Sequence, residues 1–214
     1  MKIKKLGHCC LLLTLEKLTI LTDPGAYSAS QNKLTGIDVI LITHEHADHF
    51  HLESVKEVLA HNPSARIFTN KSVGAKLAAA GVAFELLEGA SGIEVNGVRL
   101  QAVDAKHEEI FEDWGQVQNT GYLINDKLFY PGDAFADPGQ DVEVLALPIA
   151  GPWCRIADAL HYALRLKPKI IFPVHDGMIR LDRIIPLRRV TDQILTQRGI
   201  TFIPLGEEEE TDLA

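Results

Sequence analysis

The pattern of apolar and polar positions divides the chain into short strand-like runs and a smaller number of helical stretches. Short runs rich in Val, Ile and Leu, bounded by Gly, Pro, Asn or Asp, predict strands. The Asn96-Gly97 pair predicts a type I′ hairpin turn, because both residues tolerate a positive φ. The predicted strands span residues 2–6, 11–15, 18–21, 39–42, 66–69, 82–87, 98–103, 121–124, 127–130, 142–147, 169–174 and 201–205.

Four stretches have the apolar spacing of helices that pack one face on a core, at residues 52–59, 72–80, 156–166 and 187–197. In the third, Ile156, Leu160, Ala163 and Leu164 fall on one face. Pro186 is expected in the first turn of the last helix, where a missing backbone N–H is tolerated. The stretches therefore predict helices that cover the outside of a sheet.

Strands in both halves of the chain end in polar loops, and no Gly-, Ser- or Pro-rich linker separates the halves. This pattern predicts one α/β domain over residues 1–206, with two mixed sheets face to face and helices outside. Residues 207–214 begin with four consecutive glutamates, and we expect this acidic tail to be solvated and frayed.

The largest concentration of candidate metal-ligating residues follows the strand predicted at residues 39–42. His44, His46, Asp48 and His49 lie there in an H-x-H-x-D-H arrangement. Imidazole and carboxylate are ligands that borderline divalent ions prefer. His44 and His46 point the same way from an extended backbone and can share one ion, whereas Asp48 and His49 lie past a turn and can face a second. The motif predicts a metal centre.

Three further candidates, His107, Asp133 and His175, also follow predicted strands, so they should lie at sheet ends like the first motif. His8 follows a strand break and is a candidate for substrate contact or proton transfer, the alternative being a hydrogen-bonded structural histidine. Softer candidates are Asp23, as an orienter of a ligand histidine or a plain turn residue, and Trp153 and Cys154, as pocket lining or core. For His51, His61 and His161 we expect surface or boundary roles, and nothing near Cys154 marks it as a nucleophile.

The net charge, the apolar stretches and the cysteine content argue against several classes of protein function. The net charge of −8 argues against nucleic acid as the main partner. No apolar stretch approaches the ~20 residues of a membrane helix, and the N-terminus lacks the long apolar region of a signal peptide. Three cysteines without C-x-x-C spacing suit a reducing compartment. We therefore expect a soluble cytoplasmic protein with a small-molecule substrate and no membrane or nucleic-acid partner.

From about residue 7 to residue 205 the chain resembles the metallo-β-lactamase fold superfamily and, within it, the small metal-dependent hydrolases related to ascorbate-6-phosphate lactonase. The H-x-H-x-D-H motif is the specific marker, and the others support it by their order. They are Gly7-His8, Asp23-Pro24, His107, Gly121-Tyr122-Leu123-Ile124, Gly132-Asp133, Leu147-Pro148-Ile149 and Pro173-Val174-His175. The resemblance implies a four-layer αβ/βα sandwich.

Carried over by position, the resemblance implies two divalent ions. The first would be held by His44, His46 and His107, the second by Asp48, His49 and His175, and Asp133 would bridge both. All-N/O ligation suits zinc, while manganese or iron can occupy the same set.

The implied activity is hydrolysis of a small ester, lactone or phosphoester by a metal-bridging hydroxide that Asp48 helps to orient. The alternatives are a phosphodiesterase or nuclease of the same fold, and a non-catalytic metal-binding scaffold.

Overall fold

Two seven-stranded sheets and four α-helices account for most of residues 1–213, the part of the chain that the computed structural model describes. The strands are β1 (Lys2–Gly7), β2 (Cys10–Thr14), β3 (Thr19–Thr22), β4 (Val39–Ile42), β5 (Arg66–Thr69), β6 (Glu85–Leu86), β7 (Gly92–Val95), β8 (Val98–Lys106), β9 (Gln118–Ile124), β10 (Leu128–Tyr130), β11 (Val144–Pro148), β12 (Ile170–Val174), β13 (Thr201–Phe202) and β14 (Glu210–Asp212). The helices are α1 (Leu52–His61), α2 (Lys71–Ala79), α3 (Ile156–Leu166) and α4 (Leu181–Thr196).

Each sheet changes from antiparallel to parallel pairing partway across. The first has the order β14-β1-β2-β3-β4-β5-β6 and becomes parallel from β3 onward. The second has the order β13-β12-β11-β10-β9-β8-β7, and its parallel part runs from β10 to β13. The four α-helices connect the parallel pairs β4/β5, β5/β6, β11/β12 and β12/β13, because parallel pairing requires a crossover. The carboxyl ends of β3 and β4, and those of β8, β10, β11 and β12, are where loops with polar side chains begin.

Three apolar clusters correspond to the three interfaces of a four-layer sandwich. The central cluster joins the inner faces of the two sheets, through residues such as Leu41 on β4 and Phe172 on β12. A second cluster lies under α3 and α4, and a third under α1 and α2. The predicted fold class, an αβ/βα sandwich of two mixed sheets flanked by helices, is therefore confirmed.

The expectation of a frayed acidic tail is wrong. The β14 strand pairs antiparallel with β1, and Lys2 and Lys4 form ion pairs of 3.0 and 2.8 Å with Glu210 and Glu208. Leu213 is buried in the central cluster. The glutamates are ordered because the edge strand that they cover is rich in lysine and offers unpaired backbone groups.

The last helix also differs from its prediction. α4 begins at Leu181, six residues before the expected start, so Pro186 lies in its second turn and not in its first. The helix starts where Arg183 and Ile184 donate backbone hydrogen bonds to the Arg180 carbonyl. A proline there removes one hydrogen bond of the helix but does not end it. The strands predicted at 82–87 and 201–205 shorten to β6 and β13, which lie at sheet edges.

Candidate metal centre

The predicted site residues converge at one edge of the sandwich, where strands of both sheets end. His44, His46, Asp48 and His49 follow β4, and His107 follows β8. Asp133 follows β10 and His175 directly follows β12. Because these strands run in the same direction within each sheet, their carboxyl ends meet and bring residues distant in sequence into one cluster.

His44, His46 and His107 form the first part of the cluster. One ligand atom from each lies within 4.8 Å of the others. The rings of His46 and His107 have centroids 4.5 Å apart and are inclined to each other by 67°. His44 and His107 are buried, whereas His46 is partly open to solvent. This part of the cluster therefore has an accessible side.

Asp133 lies at the centre of the cluster. Its carboxylate is 2.8 Å from Nε2 of His175, 3.1 Å from Nε2 of His49 and 3.3 Å from Nε2 of His107. Nε2 of His44 is 3.9 Å away. The indole N–H of Trp153 donates a 2.9 Å hydrogen bond to the same carboxylate. One buried anion thus faces four imidazoles.

Gly132 allows Asp133 to reach this depth. Its φ of +65° lies in the left-handed region, and a Cβ there would come within 2.3 Å of the Asn119 side-chain oxygen. That Asn119 oxygen accepts a hydrogen bond from the backbone N–H of Asp133. A side chain at position 132 would push the carboxylate out of the cluster.

Asp48, His49 and His175 form the other side of the cluster, together with His8. Oδ2 of Asp48 is 3.5 Å from Nε2 of His175 and 3.2 Å from Nε2 of His8. The backbone N–H of Gly177 donates to Nδ1 of His8, so Nε2 of His8 carries the proton that it offers to Asp48. Asp48 is 17% exposed, which makes it the more accessible of the two central carboxylates.

Hydrogen bonds to the Nδ1 atoms fix which nitrogen of each buried histidine faces the cluster. Nδ1 of His107 lies 2.6 Å from the Glu108 carbonyl, and Nδ1 of His175 lies 2.6 Å from the Ala150 carbonyl. A carbonyl only accepts, so each Nδ1 carries a proton and each Nε2 is the nitrogen that is turned toward the cluster. This arrangement is typical of metal-binding histidines, whose second nitrogen is held by an acceptor.

Asp23 fixes the orientation of the buried histidines in the H-x-H-x-D-H motif. Its carboxylate is 2.7 Å from Nδ1 of His49, and it accepts hydrogen bonds from the backbone N–H and the hydroxyl of Thr43. The Thr43 hydroxyl in turn lies 3.0 Å from Nδ1 of His44. The Tyr130 hydroxyl donates to Asp23 at 2.6 Å from the opposite sheet. Asp23 therefore orients two histidines at once, and it is not a plain turn residue.

Three residues of the site have the left-handed backbone that non-glycine residues rarely adopt. The φ angles are +28° at His8, +38° at Asp23 and +59° at His175. Such conformations cost on the order of 1 kcal/mol or more each, and they persist where surrounding contacts hold them. The backbone is thus bent at the points where these three side chains turn into the cluster.

The donor set fits divalent ions. Among residues 1–213, the buried nitrogens without a hydrogen-bond partner include Nε2 of His44, His49 and His175, and Oδ1 of Asp133 is likewise unpartnered. Such atoms are costly to bury unless something binds them. Ligands about 2.1 Å from one ion in a tetrahedron lie about 3.4 Å from each other, which is close to the spacings around Asp133.

The electrostatics favour cation binding by these side chains. Burial would raise the pKa of the Asp133 carboxyl, but the facing His175 and His49 imidazoles outweigh it and hold that pKa well below its usual range. Burial lowers the pKa of His44, which keeps its ring neutral and its lone pair available.

Burial also raises the pKa of the Cys154 thiol to about 12, which is consistent with the prediction that Cys154 is not a nucleophile.

The three histidines expected to be peripheral lie outside the cluster. His51 precedes the first turn of α1 and His61 is its last residue, while His161 is exposed on α3. Sequence reasoning missed Thr43 and Tyr130, and it did not separate a site role for Trp153 from core packing. It also missed Cys9, a buried thiol beside the second group of histidines. Of these, only Thr43 had a sequence signal, since it directly precedes the motif.

Comparisons with known proteins agree with this geometry. The family model for the β-lactamase superfamily domain matches residues 2–175. Protein Rv0786c of Mycobacterium tuberculosis is 31% identical over 202 residues, which cover 92% of this chain and 94% of the relative. The UPF0173 metal-dependent hydrolase MJ1163 of Methanocaldococcus jannaschii is 32% identical over 151 residues, 66% of this chain and 68% of the relative.

Among solved structures, Igni18, a metallo hydrolase from Ignicoccus hospitalis, superposes with a TM-score of 0.76 at 19% identity. The match covers 100% of this chain and 99% of that one. At that identity the likeness establishes the fold. Because the family model spans most of the chain, this protein belongs to the β-lactamase superfamily, as a metal-dependent hydrolase with the metallo-β-lactamase fold.

Proposed function

We propose that this protein hydrolyses a small ester, lactone or phosphoester with the help of two divalent ions, zinc being the expected metal. The observation that carries the proposal is Asp133, a buried carboxylate within 3.3 Å of the Nε2 atoms of three histidines. When bound, the ions would supply Lewis acidity and lower the pKa of water enough to provide hydroxide at neutral pH. Histidine and carboxylate donors suit zinc, and manganese or iron are the alternatives that the test includes.

In this proposal Asp133 would offset the repulsion between the two ions from a fixed position. The Trp153 indole N–H and the Asn119 side chain hold the carboxylate and its backbone in place. His44, His46 and His107 would hold the first ion, while Asp48, His49 and His175 would hold the second. The sheet ends fix these residues before substrate arrives, so little reorganisation is needed during the reaction.

Asp48 is proposed to orient the attacking water. Its Oδ2 atom faces His8 and His175, which leaves Oδ1 to accept a hydrogen bond from a water on the solvent side. The His8 Nε2–H holds the carboxylate in that orientation, and His8 is placed to give a proton to a leaving oxygen. Partial burial would raise the pKa of Asp48, but the neighbouring His175 and His8 imidazoles outweigh it and keep that pKa well below its usual range, so the carboxyl stays ionised at neutral pH.

We propose a small substrate because the negative net charge of the protein disfavours binding of a long polyanion. A net charge of −8 repels a polyanion beyond the few phosphates that the ions could contact. No helix among residues 1–213 has both the length and the apolarity needed to cross a bilayer.

The test is a panel of lactones, aryl esters, small phosphodiesters and single-stranded RNA, assayed with zinc and with manganese. Elemental analysis of protein purified without chelator should find about two divalent ions per chain. Turnover of a small substrate is the expected result. Efficient RNA cleavage with negligible small-substrate turnover would identify a nuclease instead, and metal without any turnover would identify a scaffold.

Asp48→Asn is expected to lower kcat about a hundredfold while changing the melting temperature little, because asparagine keeps the size but loses the charge. The measurement is steady-state kinetics on the best substrate of the panel. His61→Ala and His161→Ala are the controls, since both side chains are exposed and distant from the cluster. An unchanged kcat in Asp48→Asn would mean that the motif is not the catalytic centre.

A further inference from the structure

Cys9 lies beside the second half of the candidate metal centre, in a position that the H-x-H-x-D-H motif does not reveal. Its side chain is buried, at 1% exposure. One ligand atom from each of His8, Cys9, His49 and His175 lies within 4.8 Å of the others. A thiol therefore faces the same three imidazoles that surround Asp48 and Asp133.

Two of those imidazoles have an unused nitrogen. Nδ1 of His49 is engaged by Asp23, and Nδ1 of His175 by the Ala150 carbonyl. Both Nε2 atoms are buried and lack a hydrogen-bond partner. Unpartnered nitrogens with fixed tautomers, next to a buried sulfur, make a donor group that suits a borderline metal ion.

The backbone around Cys9 is held from several directions, which fixes the point from which its side chain extends. The Thr22 hydroxyl donates to the Cys9 carbonyl at 3.1 Å, and the Tyr130 hydroxyl lies 2.9 Å from the same oxygen. The backbone N–H of His175 donates to the His8 carbonyl at 3.1 Å. The Tyr130 and His175 contacts tie residues 8 and 9 to the opposite sheet, and the Thr22 contact ties Cys9 to β3 of its own sheet.

The other two cysteines differ from Cys9 in their surroundings. Cys10, its neighbour, packs into the apolar cluster between the first sheet and its helices. The Cys154 thiol donates a 3.5 Å hydrogen bond to the Pro148 carbonyl. Neither belongs to the group of four, so Cys10 and Cys154 are matched controls for a buried thiol that does not face the site.

We infer that Cys9 is a sulfur ligand of the second metal ion, joining His49 and His175 as its thiolate. This inference rests on the proposed dinuclear centre and goes beyond it, because it adds a donor of different chemistry. On binding, the S–H bond breaks and its proton passes to solvent as the sulfur–metal bond forms, with no change in oxidation state. A soft thiolate favours zinc, cobalt or cadmium over manganese and magnesium, so Cys9 sets the metal preference of the second position.

The test replaces the native ions with cobalt(II) in the full-length protein, because thiolate ligation to cobalt(II) gives an intense charge-transfer absorption in the near ultraviolet. This band is expected in the wild type and in Cys10→Ser, and it should be absent from Cys9→Ser. In competition with a chelator, Cys9→Ser should hold its second zinc ion at least ~10-fold more weakly than wild type, with less change for manganese.

A double variant, Cys10→Ser with Cys154→Ser, keeps the test decisive if Cys9→Ser does not fold. Cys9 is then the last thiol in the chain, and the band must persist. A cobalt-loaded wild type without the band, or a band that survives in Cys9→Ser, overturns the inference. A protein that shows the band but hydrolyses nothing on the substrate panel would refute the proposed function and leave the sulfur ligand standing.

Discussion

Asp133→Asn is expected to lower kcat about a thousandfold and to reduce the metal content from about two ions to about one. Asparagine has the same shape and can still accept the hydrogen bond from Trp153. It lacks the negative charge that faces the four imidazoles and, in the proposed centre, lies between two cations. Two divalent ions without an anion between them repel strongly in a buried site, so one of them should be lost.

The measurements are elemental analysis after gel filtration and steady-state kinetics at saturating zinc. Asp137→Asn is the control, because that aspartate lies four residues away and is exposed in a surface turn. It should keep both ions and wild-type kcat. Two retained ions in Asp133→Asn, with kcat within a factor of ten of wild type, would remove Asp133 from the role of bridge.

Asp23→Asn is expected to cost about 3 kcal/mol of unfolding free energy and to weaken metal binding 10- to 100-fold. Asp23 does not face the cluster itself. Its Oδ2 atom receives the Thr43 hydroxyl, Nδ1 of His49 and the Tyr130 hydroxyl, all within 2.8 Å. An asparagine amide replaces one of the two acceptor oxygens with an NH₂ donor, so either the Thr43 N–H, which donates to Oδ1, or the donors at Oδ2 lose their acceptor inside the protein.

The two effects can be separated by experiment. Denaturant unfolding of the chelator-treated protein reports the loss of stability alone, and unfolding with added zinc includes the linked loss of metal affinity. Asp38→Asn serves as the control, since Asp38 is exposed and accepts a single backbone hydrogen bond from Thr19. If Asp23→Asn destabilised the apo protein no more than Asp38→Asn does, the carboxylate would not be the central acceptor of this network.

The sequence by itself determined most of the elements and most of the candidate donor set. Alternating apolar and polar positions and short apolar runs identified the strands. A strand buried on one face is apolar at every second position, and a strand buried on both faces is apolar throughout. The spacing of His44, His46, Asp48 and His49 was readable because all four lie on one loop, where local backbone geometry fixes their relative positions. His107, Asp133 and His175 could be proposed as further donors because each follows a predicted strand.

Only the tertiary structure decided which further residues serve the site. Tyr130 reaches Asp23 from the opposite sheet, and Trp153 reaches Asp133 across 20 positions of sequence. Cys9 and Cys10 are adjacent in sequence and equally buried, yet only Cys9 faces the histidines. That difference depends on how the two sheets pack, which no local pattern encodes. The acidic tail is a second case, because its order depends on a lysine-rich edge strand some 200 residues away. Local spacing thus determined the elements and the loop motif, while the pairing of distant strand ends determined the surroundings of the metal centre.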